Sequence, residues 1–316
     1  MFRRELELFK RYEGNPILTP AHWPYKVNAA FNPGAAKIGD EVLLLVRVED
    51  MQGYSHLTVA KSKDGRTNWQ IDTKPTLKAK KSLNEDIMGL EDPRIVWLDK
   101  IQKYVITCTT FFAKAIGSPP TVSFITTKDF RTFDRLGPLL MPENKDAALF
   151  SQSFNGRYAL INRPIIGGKA DIWISFSPDL KHWGEHRVLI PVRPRSWDSH
   201  KVGLGPPPIK TREGWLIIYH GVRVTASGAL YRIGLALLDL DNPLKVIRRS
   251  REWVFGPKEN YEKMGDVANV TFPCGVILNQ EMDELLIYYG AADTVVGLAI
   301  ANIKDIIDYL KCCPEY

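Results

Sequence analysis

A phrase of two short strands and a polar turn returns five times along the chain, and no other feature restricts its fold as strongly. The first strand of each copy spans residues 41–47, 103–109, 157–163, 214–220 and 284–290. All five runs follow a turn and are rich in β-branched or aromatic residues, as strands are. A second strand follows and ends in a polar turn with an apolar anchor. It reads 59–65 with Trp69, 124–130 with Phe133 and 174–180 with Trp183, and more weakly 235–241 and 298–305. Repetition at a period of roughly 50 to 70 residues suggests the blades of a propeller. Ring closure then protects the sheet edges. A long β-sandwich is the competing arrangement, but it gives no reason for a fivefold phrase. The expected fold is therefore all-β, a five-bladed β-propeller with short terminal helices. Helical patterning is confined to residues 2–11 and 304–312. One catalytic propeller domain is expected over residues 1–316.

Bulk properties exclude several classes of function. No apolar run is long enough to span a membrane, and the first residues lack the apolar stretch of a signal peptide. Cys108, Cys274, Cys312 and Cys313 have neither metal-ligand spacing nor the look of a disulfide framework. No metal site is expected, and a reducing cytoplasm fits best. The net charge of +6 is mild and unclustered. Nucleic-acid binding would want a basic stripe with exposed aromatics, and none is present. A basic cleft for a small anion fits the charge. The sequence is compatible with a homo-oligomer but does not specify one.

Within this frame the stretch Gly89-Leu90-Glu91-Asp92-Pro93-Arg94 stands out. Pro93 fixes its own backbone angle and directs Asp92 toward an extended conformation. That predicts a rigid carboxylate at the mouth of a strand over 94–98, which is what general acid catalysis needs. The competing reading is a loop in which Asp92 and Arg94 pair. Several strand ends are also polar: Arg47 with Glu49, Arg163, His220, and Asp293 just after Gly290. In a propeller these would gather at one mouth of the central channel. Lys145 and Lys201 are further candidate cations. Arginine grips phosphate bidentately and lysine adds a point charge, so two lysines, an arginine and a histidine suit inorganic phosphate. Each of them alone would read as a solvated charge. His22, His56, His182, His186 and His200 read as turn or satisfied histidines.

These residues resemble glycoside hydrolase family 130, the β-mannoside phosphorylases and related mannosidases. The matching pieces run in one order over nearly the whole chain. They include Phe31-Asn32-Pro33-Gly34-Ala35, Arg47-Val48-Glu49-Asp50, Glu91-Asp92-Pro93-Arg94 and Asn162-Arg163-Pro164. Further on come Lys201-Val202-Gly203-Leu204-Gly205-Pro206, residues 214–222 and residues 288–294. The resemblance implies a five-bladed propeller, with Asp92 as the single catalytic acid. It implies phosphate contacts from Lys145, Arg163, Lys201 and His220, with Tyr231 a weaker match nearby. Asn32, Arg47 and Asp293 match positions around the transferred mannosyl unit, and Glu49 and Glu91 join the substrate-binding set. No cofactor is implied, since inorganic phosphate is a co-substrate. The implied reaction inverts a β-mannoside to α-mannose 1-phosphate, with the acid's proton relayed through the mannosyl 3-hydroxyl.

Pro33, Glu91 and Ser151 replace the serine, tyrosine and proline of many β-1,4-acting members. The Asn-Pro-Gly-Ala and Glu-Asp-Pro-Arg forms look more like the branch that acts on β-1,2-mannobiose or short β-1,2-oligomannans. A β-1,4-mannoside phosphorylase and a β-mannoside hydrolase of the same family remain alternatives, as does a non-catalytic glycan-binding propeller.

Overall fold

The computed structural model describes residues 7–79, 89–111, 119–140 and 142–316. Five antiparallel sheets follow one another along the chain. Blade I comprises Ala29–Ile38, Glu41–Glu49, Ser55–Ser62 and Gln70–Ile71, and blade II comprises Glu91–Leu98, Lys103–Phe111, Pro120–Thr127 and Asp134–Pro138. Blade III is built from Asn144–Phe154, Arg157–Pro164, Ile172–Ser177 and Gly184–Ile190. Blade IV is built from Lys201–Leu204, Trp215–Thr225, Gly228–Leu238 and Val246–Arg249, with Ile209–Lys210 as a short extra strand. Blade V takes Thr271–Asn279, Glu284–Ala291 and Val295–Asn302 from the end of the chain, and Lys10–Arg11 from its beginning. The fold is a five-bladed β-propeller, as expected.

The turn of the repeated phrase has one physical basis in four blades. The carboxylates of Asp64, Asp129, Asp179 and Asp239 each accept two backbone N–H bonds, from the residues two and three positions ahead. This is the side-chain turn that aspartate favours. In blade V the corresponding residue is Asn302, which accepts from the N–H of Lys304 and Asp305. There the turn continues into a helix, Ile303–Lys311, instead of a fourth strand. The vacant edge is filled by Lys10–Arg11, paired with Ile300 and Ala299. The expected helix over residues 2–11 is therefore corrected for its described part, because these two residues are needed as a strand. Residues 2–6 lie outside the described residues. The helix at the other end agrees with its sequence pattern, burying Ile306, Ile307 and Leu310.

Apolar residues fill the wedges between neighbouring blades. Leu45, Leu57, Ile95 and Ile106 pack blade I on blade II, and Phe124, Leu149 and Leu160 pack II on III. Ile174, Val202 and Ile217 join III to IV, Ile218 and Ile287 join IV to V, and Leu44 and Tyr288 join V back to I. Each wedge is a separate core, so the channel mouth stands on a ring of rigid sheets. Rigid scaffolds of this kind suit precise side-chain placement.

Candidate active site

The repeated phrase covers the second and third strands of each blade, and the innermost strands carry a device of their own. In blade I the register with the second strand slips between Phe31 and Gly34, in blade II between Glu91 and Arg94, and in blade III between Lys145 and Ala148. Each slip is a β-bulge, which re-aims a side chain. The bulged residues are Asn32, Asp92 and Asp146, with φ of 43°, 50° and 52°. Asparagine and aspartate tolerate this left-handed region better than other side chains. Asp92 is thus left-handed rather than extended, and it lies inside the strand Glu91–Leu98 rather than ahead of it. The bulge overrides the local preference set by Pro93.

Glycines let the inner strands approach across the channel. A Cβ on Gly34 would lie 2.6 Å from the Pro93 carbonyl of blade II, and one on Gly275 would lie 2.6 Å from the Pro33 carbonyl of blade I. Blade II places Arg94 where these glycines sit, and Arg94 reaches across the axis. Its guanidinium donates to the carbonyls of Asp92 (3.0 Å), Leu204 (3.0 Å) and Gly205 (3.1 Å), and to Asp146 Oδ1 at 3.3 Å. The side-chain pairing of Asp92 with Arg94 is not formed. Arg94 holds the Asp92 backbone and leaves its carboxylate to other partners.

Those partners come from blade I. Asp92 Oδ1 accepts from Asn32 Nδ2 at 2.8 Å and from Arg47 Nη1 at 3.0 Å. Arg47 also donates Nη2 to Glu91 Oε1 at 2.9 Å and Nε to Ser55 Oγ at 3.0 Å, and its guanidinium lies over the Phe31 ring. Glu49 stands 3.9 Å from the same guanidinium. Burial would raise the Asp92 carboxyl, but Arg47, Arg94, Lys145 and the Asn32 hydrogen bond hold it below its ordinary value. Glu91 moves the other way, because burial outweighs Arg47 and Lys145. Asp293 is pushed up to about 7, by burial first and then by Asp92, Glu91 and Glu49, against the pull of Arg47.

Blades III and IV present the opposite charge. Lys145 and Arg163 are cross-strand partners in blade III, and Arg163 Nε donates to Asp146 Oδ2 at 2.7 Å. His220 Nε2 lies 3.6 Å from the same oxygen. Arg163, His220 and Arg94 overcome the effect of burial and hold Asp146 well below the carboxylate range. Burial, with Arg163, Lys201 and Arg94, pushes His220 down to about 3, so its imidazole is neutral at neutral pH. Lys201 faces Val222 across the sheet, Val222 faces Tyr231, and the Lys201 ammonium sits 5.0 Å from the Tyr231 ring centroid. Lys145 has a similar aromatic contact with Phe111, at 5.3 Å. Neither lysine has a carboxylate partner among the described residues.

The candidate acid, phosphate-binding and substrate-binding residues therefore lie at one end of the ring. Asn32, Arg47, Glu49, Glu91, Asp92 and Asp293 form one charge cluster, and Lys145, Arg163, Lys201 and His220 form the other, with Tyr231 at its edge. Asp146 and Arg94 were not assigned roles from sequence. A signal for Asp146 was present, since Asp146-Ala147-Ala148 repeats the placement of Asn32-Pro33-Gly34 and Asp92-Pro93-Arg94. Arg94 was hidden because two of the three carbonyls it serves are more than 100 positions away. Among the described residues no cluster of three or more His, Cys, Asp or Glu side chains has a metal-binding arrangement.

Known proteins are similar to this chain over nearly its whole length. The model of glycoside hydrolase family 130, described as beta-1,4-mannooligosaccharide phosphorylase, matches residues 4–312. A 1,2-beta-oligomannan phosphorylase of Thermoanaerobacter sp. is 37% identical, covering 94% of this chain and 98% of that protein. A beta-1,4-mannooligosaccharide phosphorylase of Ruminococcus albus is 36% identical, over 95% of this chain and 90% of that protein. The structure of beta-1,2-mannobiose phosphorylase from Listeria innocua, in complex with beta-1,2-mannobiose, superposes with a TM-score of 0.84 at 34% identity, covering 96% of this chain and 99% of that one. The chain belongs to glycoside hydrolase family 130.

Proposed function

We propose that the protein catalyses reversible, inverting phosphorolysis of β-mannosides, with β-1,2-mannobiose or short β-1,2-oligomannans as substrates. The observation that carries this reading is the unequal charge of the mouth. Asp92, its carboxylate held by Asn32 and Arg47, and Glu91, held by Arg47, face a group of cations that includes two lysines with no carboxylate partner among the described residues. A hydrolase needs a second carboxylate to activate water. The carboxylate at the centre of the basic cluster is Asp146, and it is already engaged by Arg163 and Arg94. A phosphorylase needs no such base, because phosphate arrives as an anion.

Lys145, Arg163, Lys201 and His220 hold phosphate beside the anomeric carbon, and Tyr231 borders them. Asn32, Arg47 and Asp293 hold the mannosyl unit, with Glu49 and Glu91 fixing Arg47. A phosphate oxygen attacks C1 from the face opposite the leaving group. The glycosidic C–O bond breaks, and the leaving oxygen takes the proton that Asp92 supplies through the mannosyl 3-hydroxyl. Asp92 must first acquire that proton, and Lys145 is among the charges that keep it ionised in the unliganded protein. Bound phosphate offsets this field and raises the proton affinity of Asp92. The β-1,2 preference rests on the Asn32-Pro33-Gly34-Ala35 and Glu91-Asp92-Pro93-Arg94 forms and on the β-1,2-acting relatives; Ser151 is exposed beside the Leu98–Lys100 turn and takes no part.

The test is incubation with β-1,2-mannobiose and β-1,4-mannobiose, with and without phosphate, assaying mannose 1-phosphate and free mannose. Phosphate-dependent mannose 1-phosphate from the β-1,2 substrate is expected. Free mannose in the absence of phosphate would replace this reading with hydrolysis. No turnover of any β-mannoside would leave a binding protein.

A further inference from the structure

We propose that Asp146 is a positioning residue for the nucleophile, aiming Arg163 at phosphate and tying it to the strand of the acid through Arg94. This rests on the phosphorolysis reading and deepens it. Asp146 is 2% exposed, and the left-handed bulge turns it into the ring of cations. Its Oδ2 takes Arg163 Nε at 2.7 Å. A guanidinium is a rigid planar fork, so fixing Nε also fixes the direction of both terminal nitrogens. Those nitrogens have no hydrogen-bond partner among the described residues, and they are the donors a bidentate grip on phosphate requires.

The other oxygen of Asp146 is held by Arg94, itself anchored on the Asp92 carbonyl. A continuous path therefore joins the phosphate cluster to the acid: Arg163, Asp146, Arg94, then the backbone of Asp92. Reaction geometry demands such a link, because the attacking and leaving oxygens must be placed on opposite sides of one carbon. Space for it is reserved at Gly203, where a Cβ would lie 2.4 Å from Asp146 Oδ2 and 2.5 Å from His220 Cε1.

Asp146→Asn keeps the shape and removes the charge that orients Arg163. It is expected to raise KM for phosphate by on the order of tenfold or more, with KM for the mannoside changed less than about twofold. Arg163→Lys keeps the charge but loses the fork, and it should give the same split without disturbing the buried Asp146–Arg94 pair. Phosphate should raise Tm less in both variants than in the wild type. Equal change in both KM values, or loss of kcat with phosphate KM unchanged, would reduce Asp146 to a structural residue. If Asp146→Asn does not fold, Arg163→Lys decides, and an unchanged phosphate KM there overturns the proposal. A wild-type enzyme that turns over mannoside without phosphate would instead sink the phosphorolysis reading.

Discussion

Blades I, II and V set four carboxylates, Glu49, Glu91, Asp92 and Asp293, around one guanidinium, that of Arg47. Blades III and IV do the reverse, setting Arg163 and His220 on one carboxylate, Asp146, with Lys145 and Lys201 beside them. Both halves are built of propeller blades and both contain the left-handed bulge, at Asn32 and Asp92 in one and at Asp146 in the other, so the side chains carry most of the contrast. Burial first and the neighbouring carboxylates second raise proton affinity, and Asp293 and Glu91 move upward accordingly. An excess of cations leaves N–H donors without acceptors. One half therefore sets raised carboxyls beside its ionised acid, and the other is built to take an anion. Lys145 links the two, since its charge acts on Glu91 and Asp92 from the neighbouring blade.

The contrast is broken most severely by removing the acid. Asp92→Asn should lower kcat by about 10³-fold or more, while the melting temperature stays close to the wild type. Steady-state kinetics and a thermal melt check this, and retained activity would move the acid elsewhere in the acidic half. Removing a cation should have a smaller and different effect. Lys201→Ala is expected to raise KM for phosphate by about 10- to 100-fold, as loss of a charge-assisted contact does, and to leave KM for the mannoside nearly unchanged. Equal effects on both substrates would mean that the halves are not functionally separate.

The smallest effect is on stability, and its sign differs between the halves. The Asp293 carboxyl is raised from 3.8 to about 7, so its folded form prefers the proton. Its stabilising contribution is present below about pH 4 and is lost as pH rises to 7. His220 is lowered from 6.5 to about 3, so its contribution is present above pH 6.5 and is lost as pH falls toward 3. Asp293→Asn should therefore gain on the wild type as pH rises from 4 to 7, by about 2 kcal/mol once its partial solvent contact is allowed for. His220→Gln should gain on the wild type as pH falls from 6.5 to 4. Denaturant melts at several pH values test both, and slopes of the same sign would contradict the assignment.

Much of this was legible in the sequence. The Asx turns at Asp64, Asp129, Asp179 and Asp239 depend on residues two and three positions away, so the repeat exposed them directly. Arg47, Arg163 and His220 stood out because they close runs that read locally as strands. The bulge at Asp92 did not, because it answers to strand pairing across the blade, and Pro93 argued for an extended residue. Arg94 was hidden for a related reason, since three of its acceptors lie on other blades. Residues 2–11 looked helical by pattern, yet Lys10 and Arg11 serve the edge left open by the helix at Asn302.

That edge has a consequence for how the molecule is made. Asn15 bonds the backbone of Leu298 in both directions, across 283 positions of chain. A ribosome releasing this chain in order delivers the clasp first and the blade it fastens last. The opening segment must wait, unpaired, through the synthesis of four blades. Contacts of such long range slow folding. Grafting a bulky partner ahead of Lys10 should accordingly hinder the last step of assembly more than the same partner placed on a loop between blades.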